Sequence, residues 1–260
     1  MIPISRLFAL GLPVAGGAAL ALFASPPPAA RPTAAPAPAA APRAARAVGR
    51  PVAVELFTSQ GCSSCPPADA LLARLAADPG IVAMTRPVTY WDRLGWRDTL
   101  ARPANTDLQR AYAARAIPGA GVYTPQIVID GRTGFVGGRG DQITPAIDRA
   151  RRTPAPVLGI AGGVGDGRVL TLGGGAPVRA SIVLVALRRS APVAIRGGEN
   201  AGRMVRYTNV LVSETPLGTW SCQPARIAVP ARALRVAGAD RYAVLVRAGA
   251  AGPILAARYL

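Results

Sequence analysis

Two cysteines, Cys62 and Cys65, stand on either side of Ser63-Ser64 and are the side chains of this 260-residue sequence best suited to chemistry. A C-x-x-C pair passes between dithiol and disulfide with little backbone movement, and it exchanges with a partner's sulfurs through a mixed disulfide. Two thiolates at this spacing also suit a soft ion such as Cu(I). Histidine is absent, which removes Ser-His-Asp and Cys-His catalysis, imidazole bases and His-ligated metal sites. The third cysteine, Cys222, lies far downstream after Trp220. It is either a small buried hydrophobe or a third thiol that resolves disulfides formed at the pair.

The elements that must position the pair are readable on both sides of it. Val52 to Phe57 is apolar and β-branched and predicts a strand, and Cys62 to Ala77 predicts a helix whose first turn tolerates Pro66 and Pro67. At a helix start, unpaired N–H groups and the helix dipole favour thiolate over thiol. Cys62 is therefore expected to be the exposed, attacking thiolate and Cys65 the buried, resolving thiol. Ser63 and Ser64 are supporting residues through their hydroxyls, with the N–H groups of Ser64 and Cys65. Glu55 is a candidate proton acceptor for Cys65, although strand alternation can equally turn it elsewhere.

Further along, Ile81 to Val88 reads as a strand and 105–116 as a helix. Gln126 to Ile129 and Thr133 to Val136 read as strands around the turn Asp130-Gly131, and 141–151 as a last helix. This order, with C-x-x-C after the first strand and Thr124-Pro125 before the third, resembles the thioredoxin fold. The resemblance implies a cis peptide bond before Pro125 and a loop lying against the cysteine pair, where Thr124 and Pro125 bind extended substrate. Trp91, Asp92 and Trp96, with Arg97, are expected at the rim of the same site.

Longer motifs carry a second resemblance. Val54-Glu55-Leu56-Phe57-Thr58-Ser59-Gln60-Gly61-Cys62-Ser63-Ser64-Cys65-Pro66-Pro67-Ala68-Asp69, Tyr90-Trp91-Asp92 with Leu94-Gly95-Trp96, Tyr123-Thr124-Pro125-Gln126, and Gly198-Glu199-Asn200-Ala201-Gly202-Arg203 look like an uncharacterised family of secreted bacterial proteins. That family is a domain of unknown function with a thioredoxin-like fold, and the likeness runs from about residue 52 to the C-terminus. The sequence departs from it at Pro87-Val88-Thr89, where the family commonly has His-Val-Asp, and at Tyr207-Thr208-Asn209, where it commonly has Tyr-His-Asn. Any role of those two histidines is lost or moved here.

From Pro154 helical periodicity gives way to short apolar runs broken by Gly, Pro, Asn and Asp. Their spacing predicts an antiparallel β-sandwich. Gly197 to Gly202 reads as a long hairpin loop, either a binding loop or a turn that needs positive φ.

At the other end, Arg6 precedes the apolar stretch Leu7 to Ala24, which contains Ala19-Leu20-Ala21 as an A-x-A pattern. This predicts a secretory signal peptide over 1–24, with an uncleaved anchor as the competing reading. Residues 25–50 are almost entirely Ala, Pro and Arg and predict a disordered tether. All 30 basic residues are arginine, against 13 acids, and the net +17 divides as +5 over 1–50, +3 over 51–153 and +9 over 154–260. No dense basic cluster with aromatics occurs, so specific nucleic-acid binding is not expected, while weak contact with an anionic envelope surface is.

Together these readings predict an α/β thioredoxin-like N-terminal domain over 51–153 followed by an all-β, antiparallel sandwich-like C-terminal domain over 154–260. The expected protein is periplasmic or secreted, needs no cofactor or resident metal, and meets exported protein thiols or disulfides. Three function classes follow: a thiol-disulfide oxidoreductase acting through Cys62 and Cys65, a non-enzymatic envelope binding protein with a structural disulfide, and a Cu(I) carrier.

Overall fold

Every residue of Val52–Thr58 (β1) and Ile81–Pro87 (β2) is buried, so neither strand can stand at a solvent-facing edge. In the computed structural model both have neighbours on each side. The structure describes residues 49–174 and 178–260, which belong to one compact unit. The expected signal peptide over 1–24, and the expected tether except for Gly49 and Arg50, lie outside the described residues.

The first half runs β1, helix α1 (Pro66–Leu75), β2, helix α2 (Pro103–Ala114), strands β3 (Gln126–Ile129) and β4 (Thr133–Val136), and helix α3 (Gly140–Arg151). The second half is strands only, apart from a short 3-10 turn: β5 (Val157–Gly162), β6 (Arg168–Gly173), β7 (Ala180–Ala194), β8 (Met204–Trp220), β9 (Ala225–Val229), β10 (Arg241–Arg247) and β11 (Ile254–Tyr259). β1 and β2 are parallel, with Val52 opposite Ile81, whereas β3 runs antiparallel to β1 and β4 to β3.

These strands do not sort into the expected α/β domain followed by a β-sandwich. One mixed sheet of eight strands, ordered β11-β10-β7-β8-β2-β1-β3-β4, takes members from both halves, and β5, β6 and β9 form a separate three-stranded sheet. The join is between β2 and β8, which run parallel with Thr85 opposite Val210. Two side chains fasten it: Thr85 Oγ1 donates to Thr208 O at 2.6 Å, and Asn209 Nδ2 donates to Ala83 O at 3.0 Å. The physical reason is the fully buried β2, whose backbone needs a second hydrogen-bonding neighbour once β1 is placed. The long β8 supplies it.

The cores follow the sheet and not the halves. One cluster joins Ala53, Val82 and Met84 to Val185, Leu187, Leu211 and Leu245 across the β2–β8 seam. A second, with Leu56, Leu72, Ile127 and Ile143, lies under α1 and α3. The three-stranded sheet packs Leu158, Leu170 and Val229 against Ile182, Leu184 and Val244 of the large sheet. Burial of such side chains is the main favourable term in folding, worth about 1.5–3 kcal/mol for each large aliphatic.

Candidate functional site

The cysteine pair sits where β1 turns into α1, but the helix starts later than expected. Pro66 and Pro67 occupy its first positions and Cys65 is its N-cap. A helix beginning at Cys62 would need an N–H on Pro66 to reach the Cys62 carbonyl, and proline has none. The Cys62 carbonyl instead accepts from Cys65 N at 3.1 Å in a tight turn, and the ladder opens with Ala68 N and Asp69 N donating to Cys65 O at 2.9 and 3.1 Å.

Cys62 and Cys65 form a disulfide with Cα atoms 5.4 Å apart. Both residues are 0% exposed, while Ser63 and Ser64 between them are exposed. The expectation of an exposed Cys62 is therefore corrected. The turn between β7 and β8 is bonded to the backbone around Cys62: Asn200 Nδ2 donates to Gln60 O at 3.0 Å and to Cys62 O at 2.8 Å, and Glu199 Oε2 accepts from Ser63 N at 2.9 Å. That last bond holds the Glu199 carboxyl below its ordinary range. Ser64 Oγ lies 3.4 Å from Cys62 Sγ, and because a disulfide sulfur has no hydrogen, the hydroxyl is the donor.

The expected rim residues are brought to the same edge. The Thr124–Pro125 peptide bond is cis. Pro125 is buried against α1, since a Cβ added to Gly137 would stand 2.9 Å from both Ala68 Cβ and Pro125 Cβ. Trp91 Nε1 donates to Thr124 Oγ1 at 2.8 Å, and Trp96 Nε1 donates to Gln60 Oε1 at 2.9 Å. Asp92 Oδ1 accepts from Asp98 N at 3.0 Å and so shapes the loop, while Arg97 is exposed.

Glu55 is not placed to serve Cys65. Its carboxylate receives Arg86 Nε at 2.7 Å, Arg247 Nη2 at 2.9 Å and the Tyr112 hydroxyl at 2.5 Å. Burial alone would raise its pKa, but the Arg247 and Arg86 guanidinium groups outweigh it and hold the carboxyl ionised. Arg86 also reaches Glu214 Oε1 at 2.6 Å, so β1, β2, β8 and β10 meet in one charge network, buried at Glu55, Arg86 and Arg247 and open to solvent at Glu214.

A buried acid on the helix that follows the pair is Asp69, which sequence reasoning passed over. It lies on α1 one turn after Cys65, a spacing that puts the two side chains on one helix face. Asp69 is 4% exposed, and neither carboxyl oxygen has a protein hydrogen-bond partner. Burial pushes its pKa up to about 8; the nearby Thr58 hydroxyl works against that shift and the Asp98 carboxylate adds to it. Asp98 accepts from Gln60 N and Leu100 N, each at 2.8 Å, and its pKa is raised by burial to about 6. Tyr207 on β8 is buried next to both acids. The i,i+4 spacing from Cys65 was the available signal for Asp69.

Cys222 sits apart from this site, packed against the core under the three-stranded sheet. Its sulfur accepts from Val178 N at 2.8 Å and donates to Val178 O at 3.0 Å. Among the described residues, no group of three or more His, Cys, Asp or Glu side chains is placed to hold a metal ion.

A disulfide at a strand-to-helix turn of a mixed sheet, a cis-proline loop beside it and a buried acid on the same helix define a protein built around one cysteine pair. Residues 53–247 match the family described as "protein of unknown function (DUF1223)", and the chain belongs to that family. No protein of curated function matches the sequence. Among solved structures, the chain is similar to a protein from Agrobacterium tumefaciens, at 30% identity and a TM-score of 0.70, over 82% of this chain and 94% of that one. It is also similar in fold to HBP35 of Porphyromonas gingivalis, at 14% identity and a TM-score of 0.52, over 82% of this chain and 75% of the other.

Proposed function

We propose that the protein is an exported thiol-disulfide oxidoreductase that acts through Cys62 and Cys65 on the thiols or disulfides of other exported proteins. The observation that carries this reading is Asp69. A buried carboxyl with no hydrogen-bond partner destabilises a fold, and a bridge that never opens gains nothing from having one beside it. A pair that turns over does gain, because its resolving sulfur must give up and regain a proton near neutral pH.

In the oxidising direction a partner thiolate attacks Cys62 Sγ, the Cys62–Cys65 bond breaks, and Cys65 leaves as a thiolate that takes a proton from neutral Asp69. A second thiolate on the partner then attacks the partner's sulfur in the mixed disulfide and releases Cys62. Two partner thiols have become a disulfide, and the pair has gained two electrons. In the reducing direction Cys62 thiolate attacks a partner disulfide and expels one partner thiolate; Asp69 carboxylate then takes the Cys65 proton, and the Cys65 thiolate attacks Cys62 Sγ, closing the pair and expelling the second partner thiolate. Thr124, Pro125, Trp91 and Trp96 form the edge on which the partner's chain lies. The export half of the proposal is supported by the signal-peptide pattern of Arg6 and the apolar stretch Leu7 to Ala24.

Burial of both cysteines favours a second reading, an envelope binding protein in which the bridge is structural. Insulin reduction by the purified protein separates the two. Oxidoreductase activity predicts turnover that is abolished in Cys62→Ser; equal background rates in the wild type and the variant would leave the binding-protein reading. A Cys65→Ala variant then identifies partners, because it retains them as mixed disulfides on Cys62.

A further inference from the structure

A glycine-rich turn, Gly197 to Gly202, is bonded to the backbone around Cys62. It is the tip of the β7–β8 hairpin, whose base is closed by Ile195 N to Arg203 O at 2.9 Å and Gly202 N to Ile195 O at 2.8 Å. Beyond that base the tip touches the cysteine turn through few groups. Asn200 bonds the Gln60 and Cys62 carbonyls, Glu199 bonds Ser63 N, and Gly197 and Gly198 lie against Trp96. Gly198 at φ 71° and Gly202 at φ 82° bracket Glu199 and Asn200, and both adopt the left-handed backbone that only glycine takes without strain. Asn200 is buried with its Oδ1 unpartnered, a desolvation cost carried by the closed arrangement that opening relieves.

We propose that Gly197 to Gly202 is a latch over the Cys62–Cys65 disulfide, and that it lifts, by breaking the Asn200 and Glu199 contacts, before either sulfur can be attacked. The reasoning is geometric. Exchange needs a thiolate in line with the S–S bond, and two residues with no exposed surface offer no such line while the turn is down. The contacts to be broken are three hydrogen bonds, one of them on the surface, and the packing of Gly197 and Gly198 on Trp96, so opening is within reach of local fluctuations. The proposal deepens the oxidoreductase reading, since a latched pair reacts with partners that displace the turn and is protected from other thiols.

The latch is tested without assuming any natural activity. The full-length oxidised protein is mixed with dithiothreitol, whose two thiols close to a cyclic disulfide and deliver two electrons and two protons to Cys62 and Cys65. The new thiols are counted by alkylation and mass. Asn200→Ala is expected to be reduced about tenfold faster than the wild type and Glu199→Ala about threefold faster, because each removes contacts that hold the closed state. Arg226→Ala, on the exposed face of β9, is expected to leave the rate unchanged. Equal rates in the wild type and both latch variants would overturn the proposal. If Asn200→Ala does not fold, the surface variant Glu199→Ala decides alone. Faster reduction of the variants without insulin reduction by any of the proteins would sink the oxidoreductase reading and leave the latch standing.

Discussion

Arg247 on β10 places Nη2 2.9 Å from Glu55 Oε1 on β1, across 192 residues of sequence. Both side chains are buried, and the same guanidinium bonds the Tyr112 hydroxyl. The contact ties a strand of the second half to one of the first within the shared sheet. Removing either charge leaves a buried network short of a partner: without Arg247, Glu55 keeps Arg86 as its one close cation, and without the Glu55 charge, Arg247 loses its carboxylate. Arg247→Met is therefore expected to lower unfolding stability by about 3–5 kcal/mol, and Glu55→Gln by a similar amount. Urea denaturation of each variant checks this, and a single cooperative transition in both is expected from the shared sheet.

Asp69 makes stability fall as pH rises. Its folded pKa of about 8 lies above the ordinary carboxyl value of 3.8, so the folded state binds the proton more tightly. Its contribution is fully present below about pH 4 and is lost as pH climbs toward about 8. Asp69→Asn removes the titration. The variant is expected to melt about 5 °C higher than the wild type at pH 8, with the gap narrowing steadily as pH falls and closing below about pH 4, as read by calorimetry. If it is also slower in insulin reduction and its rate no longer follows that titration, the acid serves chemistry as well as costing stability.

Gly137 holds the cis-proline loop close to α1. Gly137→Ala sets a methyl 2.9 Å from both Ala68 Cβ and Pro125 Cβ, so Pro125 must move away from the helix that carries the cysteines. Insulin reduction is expected to fall about tenfold, against a stability loss of about 1–3 kcal/mol measured in urea.

The disulfide spans only a three-residue separation. Closing so short a loop constrains the unfolded chain modestly, and Cys62→Ser is expected to lower stability by about 2 kcal/mol while abolishing exchange entirely. Urea denaturation of the oxidised wild type and the variant gives the number.

Much of this was legible in the residues, because the signals were local. The C-x-x-C after an apolar strand, the paired prolines of α1 and the turn Asp130-Gly131 each report on their own neighbourhood. What was hidden was every relationship across a long separation. Nothing near Asn200 or Glu199 shows that they will meet Cys62 and Ser63, 138 and 136 residues earlier. The β2–β8 pairing was equally invisible, which is why a sheet shared by both halves was read as two folds. Asp69 was missed for a different reason. An acid in the first turn of a helix normally faces water and the helix dipole, and this reading is right unless tertiary packing turns the residue inward.

The reduction potential of the Cys62–Cys65 pair, measured by equilibration with dithiothreitol or glutathione buffers, tests the central claim most directly. A pair that exchanges with exported proteins is predicted to lie above about −300 mV, with a pH dependence that changes when Asp69 becomes Asn. A value well below about −300 mV, unaltered in Asp69→Asn, would contradict the account and mark the bridge as structural.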